Sequence, residues 1–204
     1  MNKVLEWFTN LVYLNVLWVI FCILGLGIFG VFPAIAATFS VTHNWLTKRT
    51  DVPIFKTFWF TYKKQFIRSN LLGYLLLIIG LILYIDILVF NSSTNAILNL
   101  LTIPLIAFFF VYIMAMFYVF PALIYYDIKL FHVVKNAFFV MILNPLPTIF
   151  MLVGILVVSS FVFQFQALIP ILGMSLFSVA IMMPALRAFE MINKKQENKV
   201  PKSI

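Results

Sequence analysis

Two histidines, one cysteine and six carboxylates are all that this 204-residue chain offers for acid–base, nucleophilic or metal chemistry. Their spacing assembles none of it. His43 has no Cys, Asp or Glu at ligand spacing, so a metal site lacks a donor set there. Cys22 stands alone inside an apolar run, which excludes an intramolecular disulfide and a thiolate cluster. No Walker A loop, GxSxG or HExxH pattern occurs, and Gly27 and Gly30 lie in an apolar stretch with no phosphate-cradling context. No catalytic residue, cofactor or metal is expected, and the chain reads as non-enzymatic.

The polar residues inside apolar runs carry what chemistry there is. Asp86 is the one acid written within a span, where a carboxylate costs about 2.5 to 3.5 kcal/mol and calls for a partner or a function. It lies close enough to Asn91 to reach the outer interface, so interfacial placement stands against a transport or proton-relay role. His43 reads either as a hydrogen-bonding group within the bundle or, with Thr38, Ser40 and Thr42, as part of a polar lining. Asn15 and Asn144 are suited to interhelical hydrogen bonds. Arg187 and Glu190, three apart on the last helix, are expected to pair with each other.

The elements that hold these residues follow from composition. With 64% hydrophobic, 18% aromatic and 10% charged residues, the chain has too little polar surface to cover a soluble globule. The fold class is all-α, an integral membrane helical bundle. Its net charge of +8 sits beside apolar spans rather than on a folded basic face, which points to anionic lipid and topology and away from nucleic acid. The region Trp7 to Leu46 is about twice the ~20 residues one crossing needs. Gly25, Gly27 and Gly30 in its middle, with Pro33 after them, predict a hairpin of helices over 8–24 and 32–47. One crossing followed by an interfacial helix is the alternative. Further spans are expected over 70–90, 97–126, 137–163 (bent at its inner end by Pro145 and Pro147) and 167–191, giving six transmembrane helices with the hairpin and five without it.

Between the first and second regions lies a basic stretch, Lys48 to Arg68. Read as a helix from Ile54, it places Phe55, Phe58, Trp59, Tyr62 and Phe66 on one face, with Lys56, Lys63, Lys64 and Arg68 around the others. That pattern predicts a cytoplasmic amphipathic surface helix that docks on anionic lipid headgroups or a partner, through Lys56, Phe58, Lys63, Lys64, Phe66 and Arg68. The segment Asp127 to Lys135 and the lysine-rich tail fall on the same side, so the C-terminus is expected in the cytoplasm. Residues 1–195 are read as one helical membrane domain and 196–204 as a disordered tail. A short echo also appears: Val31-Phe32-Pro33-Ala34-Ile35 returns as Val119-Phe120-Pro121-Ala122-Leu123 and, more loosely, as Met183-Pro184-Ala185-Leu186.

Leu14-Asn15-Val16-Leu17-Trp18, the glycine-rich turn before Pro33-Ala34, Pro53-Ile54-Phe55-Lys56-Thr57-Phe58, Tyr62-Lys63-Lys64-Gln65-Phe66 and the span ending Tyr84-Ile85-Asp86 together resemble the YesL family. The resemblance covers about Asn10 to Asp86. Its members are bacterial multi-pass membrane proteins, mostly from Firmicutes, carrying a domain of unknown function. The resemblance implies an accessory role beside carbohydrate ABC importers, whose genes often neighbour those of the family, and it supplies no catalytic residues. Two functions are therefore carried forward. One is a non-enzymatic accessory or regulatory membrane protein with ABC transporter subunits as partners. The other is a small multi-pass transporter in the cell membrane in its own right.

Overall fold

The computed structural model describes residues 3–47, 53–93 and 95–197. Among them are seven α-helices and one 3-10 turn, with no strand: α1 (Lys3–Leu24), α2 (Ile28–Leu46), α3 (Ile54–Asn91), α4 (Ala96–Tyr126), α5 (Leu130–Leu143), α6 (Pro145–Gln164), the turn Gln166–Leu168, and α7 (Ile169–Glu197). The described parts Val4–Leu24, Ile54–Asn91, Ile97–Tyr126, Pro145–Gln164 and Gln166–Lys194 are long and apolar enough to cross a membrane. Five is the lower of the two counts weighed above. α2 is the second arm of the hairpin, but Thr38, Ser40, Thr42, His43 and Asn44 make its second half polar, and it is not among the five.

α2 is the packing centre. Ala34, Ala37 and Val41 meet Leu14, Leu17 and Phe21 of α1 and Phe58 and Tyr62 of α3. Its Ala36 and Phe39 join a larger cluster with Leu72, Tyr118, Leu123, Met182 and Phe189. Small residues are what allow this, because helices in lipid associate by close backbone approach rather than by escape from water. Gly25 and Gly30 show the same economy: a Cβ on Gly30 would stand 2.6 Å from the carbonyl oxygens of both Phe21 and Cys22. The turn between the arms is Gly25-Leu26-Gly27, with Gly27 at a φ of 70°.

Pro33 lies inside α2, which begins at Ile28 rather than at the Phe32 start predicted above. A proline there withholds the N–H that would reach the carbonyl of Phe29. α3 repairs this. Asn70 Nδ2 donates to Phe29 O at 2.9 Å, and the Tyr74 hydroxyl donates to Ile28 O at 2.8 Å. One level nearer the start of α3, the Tyr62 hydroxyl donates to Phe21 O at 3.2 Å. The first two copies of the sequence echo also touch, for the rings of Phe32 and Phe120 stack with centroids 6.2 Å apart.

Three further expectations about the helices need correction. The surface helix is not a separate element. Ile54 to Arg68 is the first part of the continuous 38-residue α3, which at about 1.5 Å per residue is far longer than a ~30 Å hydrocarbon core. The face assigned to lipid is divided: Phe58 is fully buried and Tyr62 is 7% exposed, whereas Phe55 and Trp59 remain exposed. The sequence pattern was amphipathic because α1 and α2 needed an apolar partner there. Likewise, the span over 137–163 is two helices broken at Asn144 (φ −131°, ψ 71°). Pro145 forces that break by pushing its predecessor out of helical geometry while itself suiting a first helical position. At the far end α7 runs on to Glu197, so 196 and 197 are helical, and the remaining tail lies outside the described residues.

Candidate functional site

Polar groups gather where α2, the start of α3 and the end of α4 meet. Thr57, Thr61, Gln65 and Ser69 recur every fourth residue of α3 and so share one face. Thr61, Gln65 and Ser69 are buried, and the Thr61 hydroxyl donates to Ser40 Oγ of α2 at 2.9 Å. A cleft of about 550 Å³ opens over this row. Ser40 and Asn44 form one wall, Lys56, Thr61, Lys64 and Gln65 the other, and Ile124 and Asp127 close the end. Gln65 is 4% exposed, and its Oε1 has no hydrogen-bond partner. A second groove, of about 330 Å³ and lined by Leu76, Phe108, Tyr112 and Phe138 among others, is almost wholly apolar.

Asp127 organises the charges. It closes α4 in the left-handed region (φ 40°, ψ 42°), where a short polar residue is tolerated better than most. Lys64 Nζ lies 2.8 Å from one carboxylate oxygen and Arg68 2.8 Å from the other, while a second guanidinium nitrogen of Arg68 donates to Ile128 O. These hydrogen bonds hold the Asp127 carboxyl below its ordinary pKa of 3.8. α7 joins this basic end through Asn193 Nδ2, which donates to the Tyr125 hydroxyl at 2.9 Å.

The six expected docking residues therefore separate. Lys64 and Arg68 are engaged with α4, and Phe58 is in the core. Phe66 is half-buried with its ring edge-on to Tyr62 at 5.6 Å. Lys63 sits 4.7 Å over the ring of Trp59. Lys56 is exposed and lines the cleft. Lys48, Arg49 and Asp51 of the basic stretch lie outside the described residues.

Of the intramembrane polar residues, the structure unites Asn15 and Thr42 through α7. Asn15 Nδ2 donates to Pro170 O at 2.7 Å, and its Oδ1 accepts from the Ser175 N–H at 3.2 Å. The Thr42 and Ser178 hydroxyls are 2.8 Å apart, and Ser178 also donates to Ser175 O at 2.8 Å. Thr38 instead donates to Ala34 O of its own helix at 2.8 Å, and His43 meets the ring of Tyr125 edge-on at 6.1 Å. Asn144 bonds back to Val140 O at 3.1 Å, while Asp86 is half-buried near the end of α3. The predicted Arg187–Glu190 pair does not form; the ion pairs among the described residues are those of Asp127. Sequence reasoning named Ser40 in the polar lining of α2 but missed Asn44, Thr61, Gln65, Ser175 and Ser178. The four-residue recurrence along α3 was a usable signal, whereas nothing local in the sequence ties Ser175 to Asn15.

An all-α bundle with five apolar helices of spanning length, tied internally by hydroxyls and amides, is an integral membrane protein. Residues 11–87, from within α1 to near the end of α3, match the family described as "Protein of unknown function, DUF624". The chain is 31% identical over 198 residues to the uncharacterized protein YesL of Bacillus subtilis, covering 97% of this chain and 93% of that one. It is 35% identical over 181 residues to uncharacterized protein YesV of the same organism, covering 89% and 87%. Against uncharacterized protein YteU, also of Bacillus subtilis, it is 43% identical over 129 residues, 63% of this chain and 58% of that protein. The chain belongs to this YesL-like family. No solved structure matches it.

Proposed function

We propose that the chain is a non-enzymatic accessory protein of a membrane transport system, seated in the cell membrane with its basic end and C-terminus in the cytoplasm. The observation that carries the reading is how the intramembrane polar groups are used. Asn15, Thr38, Thr42, Ser178 and Asn144 each have a hydrogen-bond partner within the bundle. A solute pathway needs groups free to exchange bonds with cargo, and these serve as ties between and within helices. At the basic end, by contrast, Lys56, Lys63 and the rings of Phe55, Trp59 and Phe60 are exposed. The one-sided lysines favour the cytoplasmic placement, and the family resemblance makes carbohydrate ABC importer subunits the partners to test.

Affinity purification of the full chain in mild detergent should bring down importer subunits at comparable stoichiometry. A Lys56→Gln, Lys63→Gln, Phe60→Ala variant should insert normally and lose them. Solute uptake by the purified chain alone in proteoliposomes would overturn the reading in favour of a transporter.

A further inference from the structure

The cleft between α2, α3 and α4 has a chemistry of its own, independent of any partner subunit. Lys56 and Lys64 face it, Arg68 stands behind it, and Asp127 is the one acid on its wall among the described residues, so among these residues three cations meet one anion. Arg68, whose planar fork suits a carboxylate, is already taken by Asp127 at 2.8 Å. What is left for a ligand is ammonium, a point charge well suited to phosphate. Lys64 has three donors and gives one to Asp127, and Lys56 is exposed.

The neutral wall asks for something else. Gln65 Oε1 is an acceptor with no partner on a residue only 4% exposed, and an acceptor is satisfied by a hydroxyl or amine, not by phosphate oxygens. Ser40 Oγ accepts from Thr61 at 2.9 Å and keeps its own O–H to donate. Asn44 adds an amide beside it. Anion recognition on one wall and an unsatisfied acceptor on the other describe a ligand that is both anionic and hydroxylated.

We propose that this cleft binds a phosphate ester bearing free hydroxyls, its phosphate on Lys56 and Lys64 and a hydroxyl on Gln65 Oε1. Two sources share that chemistry: the glycerol headgroup of an anionic phospholipid, and a soluble polyol phosphate. The cleft opens beside apolar spans, and its rim carries the exposed ring of Phe60, which suits the lipid.

The test uses the purified full chain in detergent, with binding of dioctanoyl phosphatidylglycerol, dioctanoyl phosphatidylcholine, glycerol 3-phosphate, inorganic phosphate and glycerate followed by native mass spectrometry and thermal shift. Phosphatidylglycerol or glycerol 3-phosphate should bind saturably and more tightly than phosphatidylcholine and inorganic phosphate. Lys56→Gln should weaken that binding about five- to tenfold, as expected for one juxtamembrane charge, while Lys63→Gln, on the Trp59 ring outside the cleft, leaves it unchanged. Gln65→Met should erase the advantage of glycerol 3-phosphate over inorganic phosphate; if that variant fails to fold, Lys56→Gln against Lys63→Gln still decides. Binding of the lipid alone assigns a headgroup site, and equal binding of glycerol 3-phosphate assigns a soluble ligand. Equal losses in Lys56→Gln and Lys63→Gln, glycerate binding as tightly as glycerol 3-phosphate, or no saturable binding of either phosphate ester would overturn the proposal.

Discussion

Replacing Asn70 with alanine removes the donor that serves the Phe29 carbonyl, which Pro33 has left without its helical N–H. A carbonyl left unpaired costs roughly 1–3 kcal/mol when fully buried and less at this part-buried bond to the exposed Phe29, while interhelical hydrogen bonds in a membrane protein average about 0.6 kcal/mol. Asn70 Oδ1 is itself buried without a partner, so its removal returns part of the loss. The net cost expected is about 1 kcal/mol, or about fivefold in the unfolding equilibrium. The control lies on the other helix. Pro33→Ala restores an N–H at the position that normally bonds to Phe29 O, so Asn70→Ala should cost close to nothing in that background. Equilibrium unfolding of the four proteins of this cycle in mixed micelles, with helicity as the signal, measures the coupling. A coupling below about 0.3 kcal/mol, the usual error of additivity, would refute the claim that Asn70 compensates for Pro33.

Three further outcomes are expected. Gly30→Ala should lower thermal stability sharply, because its Cβ would lie 2.6 Å from two carbonyl oxygens of α1; a Tm within a degree of wild type would show that the hairpin arms part freely. Asp127 has its pKa lowered by Lys64 and Arg68, so its contribution to stability is present above the ordinary carboxylate range and lost as pH falls through the lower, folded value. Asp127→Asn should therefore flatten the acid limb of a stability–pH profile and leave its neutral and basic limbs parallel to wild type. In a Cys22→Ser background, Ser93→Cys should label from outside intact cells and Thr47→Cys only after permeabilisation. Thr47 is exposed, whereas Thr61 is 8% exposed and unsuited to labelling.

Sequence patterns carried the membrane class and the helix–turn–helix of α1 and α2 well, though not α2 as a sixth crossing, because both rest on local physics: apolar runs of spanning length, and glycines where two backbones must touch. They failed where a pattern had two physical causes. A helix with aromatic residues on one side and lysines on the other looks the same whether the rings meet lipid or meet α1, and Phe58 and Phe21, with centroids 5.1 Å apart, show which cause applied. Pro33 misled similarly. A proline after glycines suggests a first turn, yet here a helix tolerates it further in because Asn70, far along the chain, supplies the missing donor. The cleft was half legible. Lys56 and Lys64 stood out as charges, but Asp127, Ser40 and Asn44 join them only through packing that no local spacing encodes.

The division of the basic stretch also decides which substitutions can inform about docking. Neutralising Lys64 or Arg68 releases Asp127 and loosens α3 from the end of α4, so a lost interaction in such a variant would follow equally from lost docking and from a displaced helix end. Phe58→Ala opens a cavity against Phe21 and would do the same by another route. Lys56 and Lys63 carry no ion pair among the described residues and are exposed. They differ in one respect: Lys56 faces the cleft, whereas Lys63 covers Trp59. A property that falls with Lys56 alone therefore belongs to the cleft. One that falls with both in proportion to charge belongs to the membrane surface or to a partner lying across it.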